Sequence, residues 1–244
     1  MISKNESKRI QQLQLKKFRT KENAFIAETP KVVEEFLKAG FIIKNWFATE
    51  DYSVPSGIQA QPTVVATRDL KTISQLQTPH GTVAVFSIPK EIEKKKGRFV
   101  LALDGVRDPG NMGTIIRLAD WFNVDDVLLS EDCVDIWNAK VVQSSMGSLA
   151  RVVPQNVNLV DELNSLKAQG YRVAVADMDG EDYSGFDWKS PTVLVMGNEG
   201  VGPRPEIQEI ANSVVTIPRL RNDGAESLNV AMATGILLAG VMRS

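Results

Sequence analysis

The chain of 244 residues has one cysteine, Cys133, and one histidine, His80. A lone cysteine excludes an intrachain disulfide and points to a reducing compartment, so a cytoplasmic protein is expected. A lone histidine excludes every triad or metal site that needs a second imidazole, and no metal is expected. His80 lies in TPHG, which reads as a turn, and a structural role is expected for it. Long apolar runs are missing too. The longest, Ala231 to Met242, falls short of the roughly 20 residues a membrane span needs and reads as a buried helix. The first residues are charged throughout, so no signal peptide is expected. Net charge is only −2, from 28 Lys and Arg against 30 Asp and Glu, so bulk positive charge cannot be what recruits a partner. Hydrophobic content of 43% with 24% charged residues is ordinary for a soluble globular enzyme.

The charge is unevenly spread. Up to Lys21 there are Lys4, Lys8, Arg9, Lys16, Lys17, Arg19 and Lys21 against Glu6 alone, a local balance of +6. Residues 177–187 run the other way, with Asp177, Asp179, Glu181, Asp182 and Asp187. Residues 3–17 have helical periodicity through Ile10 and Leu13. TPKVVEEFLKAG predicts a helix with Thr29 as N-cap, Pro30 at the first helical position and Gly40 as the stop. Short strands are expected at NWFAT, TVVAT and TVAVFS, with a helix at RDLKTISQL, giving a small α/β domain over residues 1–88. PKEIEKKKGR, residues 89–98, reads as a linker. From Phe99 to Ser244 the pattern restarts. FVLALD, VDDVLLS, RVAVAD, TVLVMG and SVVTIP are almost wholly apolar strands, and such runs predict a parallel sheet covered on both faces. Helices are expected between them over 111–122, 138–145, 159–168, 205–211 and 227–242.

Three stretches of this second domain carry chemistry. DGVRDPGNMGTIIR, residues 104–117, is a polar turn at the carboxyl end of a strand, where open α/β sheets bind their ligands. The helix that follows offers free backbone N–H groups, although a capping Asn111 and a solvated Arg117 would also explain the stretch. VLVMGNEGVGPRPEI, residues 193–207, lacks the spacing of the dinucleotide fingerprint and gives an open glycine loop able to wrap a ligand with backbone, or a plain surface turn. IPRLRNDGAESLNVAMATGILLAG, residues 217–240, leads into a helix that Ser227 or Asn229 could cap. That helix is too apolar to keep a water-facing side and must be buried in the core or against a partner subunit.

Taken together, NMGTIIR, MGNEGVG and IPRLRNDGAESLNVAMATG resemble, in order and spacing, the three signature motifs of the SpoU-type (TrmH-like) RNA ribose 2′-O-methyltransferases of the SPOUT superfamily. DIWNAKVVQSSMGSLARVVP is similar to the family's connecting segment, although Gln143 stands where an arginine is common. KKFRTKENAFIAETPKVVEEFLKAG resembles the family's small substrate-binding domain of the ribosomal protein L30e type, with Glu28-Thr29 in place of the usual Glu-Gly. The resemblance implies a deep trefoil knot at the C-terminus, an exception to ordinary topology. It implies S-adenosyl-L-methionine as cofactor, held mainly by backbone around Met196, Gly197, Gly202, Ile217, Pro218 and Leu228. It also implies a homodimer through the apolar C-terminal helix, and an RNA substrate, ribosomal or transfer.

By the same resemblance Arg117 matches the family's essential arginine, and Asn111, Glu199, Ser227 and Asn229 match the other polar positions. Arginine is a poor proton acceptor because its pKa exceeds about 12, so Arg117 is expected to clamp the phosphate beside the target ribose and stabilise the developing alkoxide. The remaining four would order the loops and orient the hydroxyl. Lys16, Lys17, Arg19 and Lys21 of the basic arm are expected to contact the RNA backbone. Two other classes predict different residues. A non-catalytic RNA-binding module would tolerate loss of Arg117, Glu199 or Asn229, and all three are present. A nucleotide-dependent oxidoreductase would carry G-x-G-x-x-G after its first strand, and none is there.

Overall fold

The computed structural model describes residues 2–79, 81–90, 97–198, 200–220, 223 and 226–241. His80 and the expectation attached to it lie outside the described residues, as does much of the expected linker. The chain forms two compact units, Met1–Glu91 with Asp135–Arg151, and Ile92–Val134 with Val152–Ser244. The stretch 135–151, placed by the sequence in the second domain, thus belongs with the first unit.

The expected helix over 3–17 is two helices, α1 (Lys4–Gln12) and α2 (Lys16–Glu22). The break falls at Leu13–Leu15, where Arg19 Nη1 donates to the carbonyls of Leu13 and Gln14 at 2.8 and 2.7 Å. Strand β1 (Ala24–Glu28) follows, buried at every position. Its apolar run is short and lies between two helices, so the sequence does not set it apart from a connection. Next come α3 (Pro30–Lys38), β2 (Ile43–Ala48), β3 (Thr63–Val64), α4 (Thr67–Lys71) and β4 (Thr82–Ser87). The sheet order is β1-β4-β2-β3, with β4 antiparallel to both neighbours and β3 parallel to β2 at the edge. Thr29 occupies the N-cap position of α3 but makes no capping bond, and its backbone lies at φ 71°, ψ 146°.

The second unit begins with β5 (Phe99–Leu103), α5 (Pro109–Trp121) and β6 (Asp126–Leu129). The chain then passes through α6 (Ala139–Ser144) and a 3-10 turn (Ser148–Ala150) in the first unit. It returns as β7 (Gln155–Asn156), α7 (Leu159–Ala168), β8 (Arg172–Asp182), β9 (Thr192–Met196), α8 (Pro205–Ile210), β10 (Ser213–Thr216) and α9 (Val230–Val241). Six parallel strands form the sheet, ordered β10-β8-β9-β5-β6-β7. The central pair β5 and β9 is buried at every position, which is why these strands read as unbroken apolar runs. Val100, Ala102, Val173, Val193 and Val195 pack with Leu159, Leu163 and Ile207 of α7 and α8. Helix α9 packs on α5, where a Cβ on Gly235 would meet Leu118 at 3.4 Å.

In the first unit, α6 and the turn after it pack on β1 and α3. The Phe25 ring lies 4.6 Å from Trp137 and 5.0 Å from Phe36, at distances suited to favourable aromatic contact. Arg19 is 3% exposed and donates from Nε and Nη2 to Asp135 at 2.9 and 2.5 Å. The chain returning from β6 is therefore built into the first unit's core.

Candidate functional site

The first loop leaves β5 at Asp104, a carboxylate 1% exposed at the end of a wholly apolar strand. Gly105 follows at φ 70°, a backbone conformation glycine adopts without steric cost. Its N–H donates to Ser130 Oγ at 2.8 Å, and that hydroxyl donates to Asp132 at 2.7 Å. Arg107 donates to the other oxygen of Asp132 at 2.8 Å. These bonds, from Ser130 and then from Arg107, hold the Asp132 carboxyl below its ordinary value. Burial meanwhile pushes the neighbouring Cys133 thiol up. Asp108 then caps α5, accepting from Asn111 N–H at 2.8 Å. Asn111 thus stands in the first turn of α5 rather than at its cap. Arg117 lies further along the same helix, exposed, without an ion pair among the described residues.

The second loop leaves β9 at the buried Met196 and turns back at once. A Cβ on Gly197 would meet Pro203 N at 2.2 Å, so only glycine fits there. Gly202, at φ 70°, donates its N–H to the carbonyl of Asn198 at 2.9 Å. Asn198 also accepts from Gly200 N–H at 2.9 Å and donates through Nδ2 to the Gly105 carbonyl at 2.8 Å. Arg204 closes the loop on Asp104, with Nε donating at 2.7 Å and its backbone N–H at 2.8 Å. The hydrogen bond to Asp104 raises the guanidinium further above its ordinary value.

The third loop follows β10 through Ile217, half-buried, and Pro218, exposed. It ends at Ser227, exposed, and Leu228, 51% exposed. Asn229 caps α9, accepting from Ala231 and Met232 N–H at 3.0 and 3.3 Å. Its Nδ2 donates to Asn111 Oδ1 at 2.9 Å, which joins the first and third loops side chain to side chain. Of the two residues that could cap this helix, Asn229 does so.

The structure thus brings Asn111 and Asn229 together, with Arg117 on the helix that Asn111 begins. Glu199 lies outside the described residues. In the basic arm Lys16, Lys17 and Lys21 are exposed on α2. Arg19 corrects the expectation: its guanidinium is buried on Asp135 and on the carbonyls of Leu13 and Gln14, which takes it away from the surface a phosphate could reach. No metal-binding cluster occurs among the described residues, and none of their helices is long and apolar enough to cross a membrane. Asp104, Ser130, Asp132, Asn198 and Arg204 were not singled out from the sequence. A charge directly after a pure apolar strand was the available signal for Asp104. Nothing local marks its partner, which lies a hundred residues on.

Residues 98–239 match the model of the SpoU rRNA methylase family, and residues 4–84 match that of the MRM3-like substrate binding domain. The chain is 34% identical over 229 residues to the 23S rRNA (guanosine(2553)-2′-O)-methyltransferase RlmP of Bacillus subtilis, covering 93% of this chain and 91% of that one. A solved AdoMet-bound rRNA methyltransferase from Sinorhizobium meliloti is 31% identical, with TM-score 0.86 over 100% of this chain and 97% of that one. A solved TrmH-family structure from Porphyromonas gingivalis is 38% identical, with TM-score 0.87 over 100% of this chain and 99% of that one. The parallel sheet, the three loops at one site and a family match across most of the second unit agree, and the chain belongs to the SpoU rRNA methylase family.

Proposed function

We propose that this chain is an S-adenosyl-L-methionine-dependent methyltransferase acting on a ribose 2′-hydroxyl of ribosomal or transfer RNA. The observation that carries this reading is the 2.9 Å bond from Asn229 Nδ2 to Asn111 Oδ1. It ties the end of the third loop to the start of the helix that presents Arg117. The residues fit the cofactor. The second loop folds on itself so closely at Gly197 that backbone meets backbone there, while the main chain of Met196 and Gly202 and the more exposed Ile217, Pro218 and Leu228 offer main-chain groups and apolar surface for an adenosine. S-adenosylmethionine, when bound, supplies a methyl already activated on a sulfonium.

The chain's own part is orientation and charge stabilisation. Arg117, exposed on α5, grips the phosphate beside the target ribose and steadies the negative charge that develops on the attacking 2′-oxygen. Asn111 and Asn229 hold each other and fix the loop ends, and Ser227 and Glu199 complete the polar set. Lys16, Lys17 and Lys21 supply the phosphate contacts of the N-terminal domain. That domain takes the L30e-like form over 1–88 with residues 135–151 packed into it, and the linker 89–98 joins it to a knotted methyltransferase domain made of the rest of 99–244. A second copy of the chain covers the side of α9 that bears Met232, 63% exposed, and the half-buried Ile236. The reaction belongs to the cytoplasm, in keeping with the single reduced cysteine.

The test is methyl transfer from labelled cofactor to RNA, followed by mapping of the modified nucleotide. A substrate carrying one 2′-deoxy substitution at that nucleotide should bind and accept no methyl. Transfer to the deoxy substrate would show base methylation and overturn the assignment.

A further inference from the structure

One buried ionic group beside the three loops takes no part in this mechanism. Asp104 carries the least exposed carboxylate described around the three loops, and its partner Arg204 lies at the far end of the second loop. Both ends of that loop are tied to the same dipeptide. At the near end Asp104 N–H donates to Met196 O at 2.8 Å, and Asn198 Nδ2 donates to Gly105 O at 2.8 Å. At the far end Arg204 reaches the Asp104 carboxylate through its backbone N–H, Nε and Nη2. The dipeptide is braced from its other side by Gly105 N–H on Ser130 Oγ.

We infer that Asp104, Arg204 and Asn198 are positioning residues that hold the loop from Gly197 to Pro203 in its cofactor-receptive shape. None of the three touches the reacting atoms. They act by fixing the backbone that lines the site, so that binding does not have to order the loop. A buried carboxylate gripped by an arginine fork suits this role, because the fork fixes orientation as well as distance. The inference rests on the reading that this loop receives S-adenosylmethionine.

The test uses the full chain. Arg204→Met alone would strand a buried charge, so the main variant is Asp104→Asn with Arg204→Met, accompanied by Asn198→Ala and Arg204→Lys. Calorimetry with S-adenosylmethionine should show Kd raised about tenfold in the double variant and in Asn198→Ala, the equivalent of about one net hydrogen bond. Arg204→Lys should recover part of the loss. In the unliganded protein the Gly202 and Arg204 amides should exchange faster than in the parent chain, because their acceptors sit in the loop closure. RNA affinity should not change, and kcat at saturating cofactor should be retained while KM for the cofactor rises. Unchanged cofactor affinity together with unchanged amide exchange would overturn the inference, and so would a lower melting temperature with unaltered Kd. If the parent chain itself fails to bind S-adenosylmethionine, the functional reading falls instead, and amide exchange still decides whether the tie orders the loop.

Discussion

Replacing Thr29 with glycine removes the residue that the sequence marks as a helix cap, yet the structure says the protein should gain stability. Thr29 sits at φ 71°, ψ 146°, at the border of the region that only glycine occupies with ease. A β-branched residue held there costs about 1–3 kcal/mol. An N-cap threonine ordinarily returns about 1 kcal/mol through its side-chain oxygen, but here no such bond is made. The backbone bonds do not depend on the side chain: Thr29 N–H donates to Thr82 O and Thr29 O accepts from Val33 N–H, both at 3.1 Å. Against the strain relief stands the extra chain entropy of glycine, about 0.5–1 kcal/mol. The net expectation for Thr29→Gly is a gain of roughly 0.5–2 kcal/mol. Urea unfolding followed by the fluorescence of Trp46 and Trp137, both in the first unit, should show a higher midpoint with an unchanged slope. Thr29→Ala is the control, since it keeps a Cβ and hence the strain. A lower midpoint for the glycine variant, or an equal gain for alanine, would refute the reasoning.

Arg117→Ala should abolish methyl transfer while leaving cofactor affinity near that of the parent chain, because backbone of the second and third loops supplies the cofactor contacts; near-normal turnover would remove Arg117 from the mechanism. Burial raises the Glu28 carboxyl above its ordinary value near 4.5, against the lowering bonds from Ser74, Gln75 and Leu76. A raised folded pKa means that the stabilising contribution is fully present below 4.5 and is lost as pH rises through the folded value. Glu28→Gln keeps an acceptor for Gln75 N–H and can donate to Ser74 Oγ, so its stability relative to the parent should climb from pH 4.5 upward; a flat difference across that range would be wrong for this account. Arg19→Met should destabilise by about 3 kcal/mol, since it strands Asp135 in a largely buried site. Alanine at Lys16, Lys17 and Lys21 should instead change stability by less than about 0.5 kcal/mol each, while weakening RNA binding and its salt dependence. RNA titrations at several salt concentrations separate these two behaviours.

The second unit was legible because its pattern is redundant. Each of the five expected strands from Phe99 onward is present, and each helix between them ends within a few residues of the expected bound. Parallel strands covered on both faces announce themselves as apolar runs, and their crossovers as helices. The first unit was read less well for the same physical reason turned round. AFIAE is an apolar run too, but it is short and lies between two helices, so nothing distinguished it from a connection. The charge cluster misled at Arg19, where the helix face that carries Lys16, Lys17 and Lys21 to solvent turns the fourth cation inward. At the site, the motifs gave Asn111, Arg117 and Asn229, but the Asp104–Arg204 tie joins positions a hundred residues apart and leaves no local signature. The membership of residues 135–151 in the first unit was invisible in the same way, because it depends on Trp137 meeting Phe25 and on Asp135 meeting Arg19.

Thr29 and Gln143 each carry a local cost, the first in its backbone and the second in its side chain. The side-chain Oε1 of Gln143 is buried with no hydrogen-bond partner among the described residues. Its neighbours on the same segment are satisfied: Asn138 caps α6 by accepting from Lys140 N–H at 2.9 Å, and Ser145 Oγ donates to Val142 O at 2.8 Å. The isolated acceptor therefore reflects this residue and not a polar pocket around it. Leaving a buried acceptor unpaired costs about 1–3 kcal/mol, whereas an apolar group of the same shape carries no such penalty. Methionine matches the length and flexibility of glutamine and adds no branch, so Gln143→Met should stabilise the chain by about 1 kcal/mol. Gln143 belongs to the first unit and makes none of the bonds that close the three loops, so cofactor affinity should not move. The midpoint of urea unfolding reads the gain directly. A loss of stability in Gln143→Met would mean that Oε1 is hydrogen-bonded in solution, and the departure at Gln143 would then carry no cost.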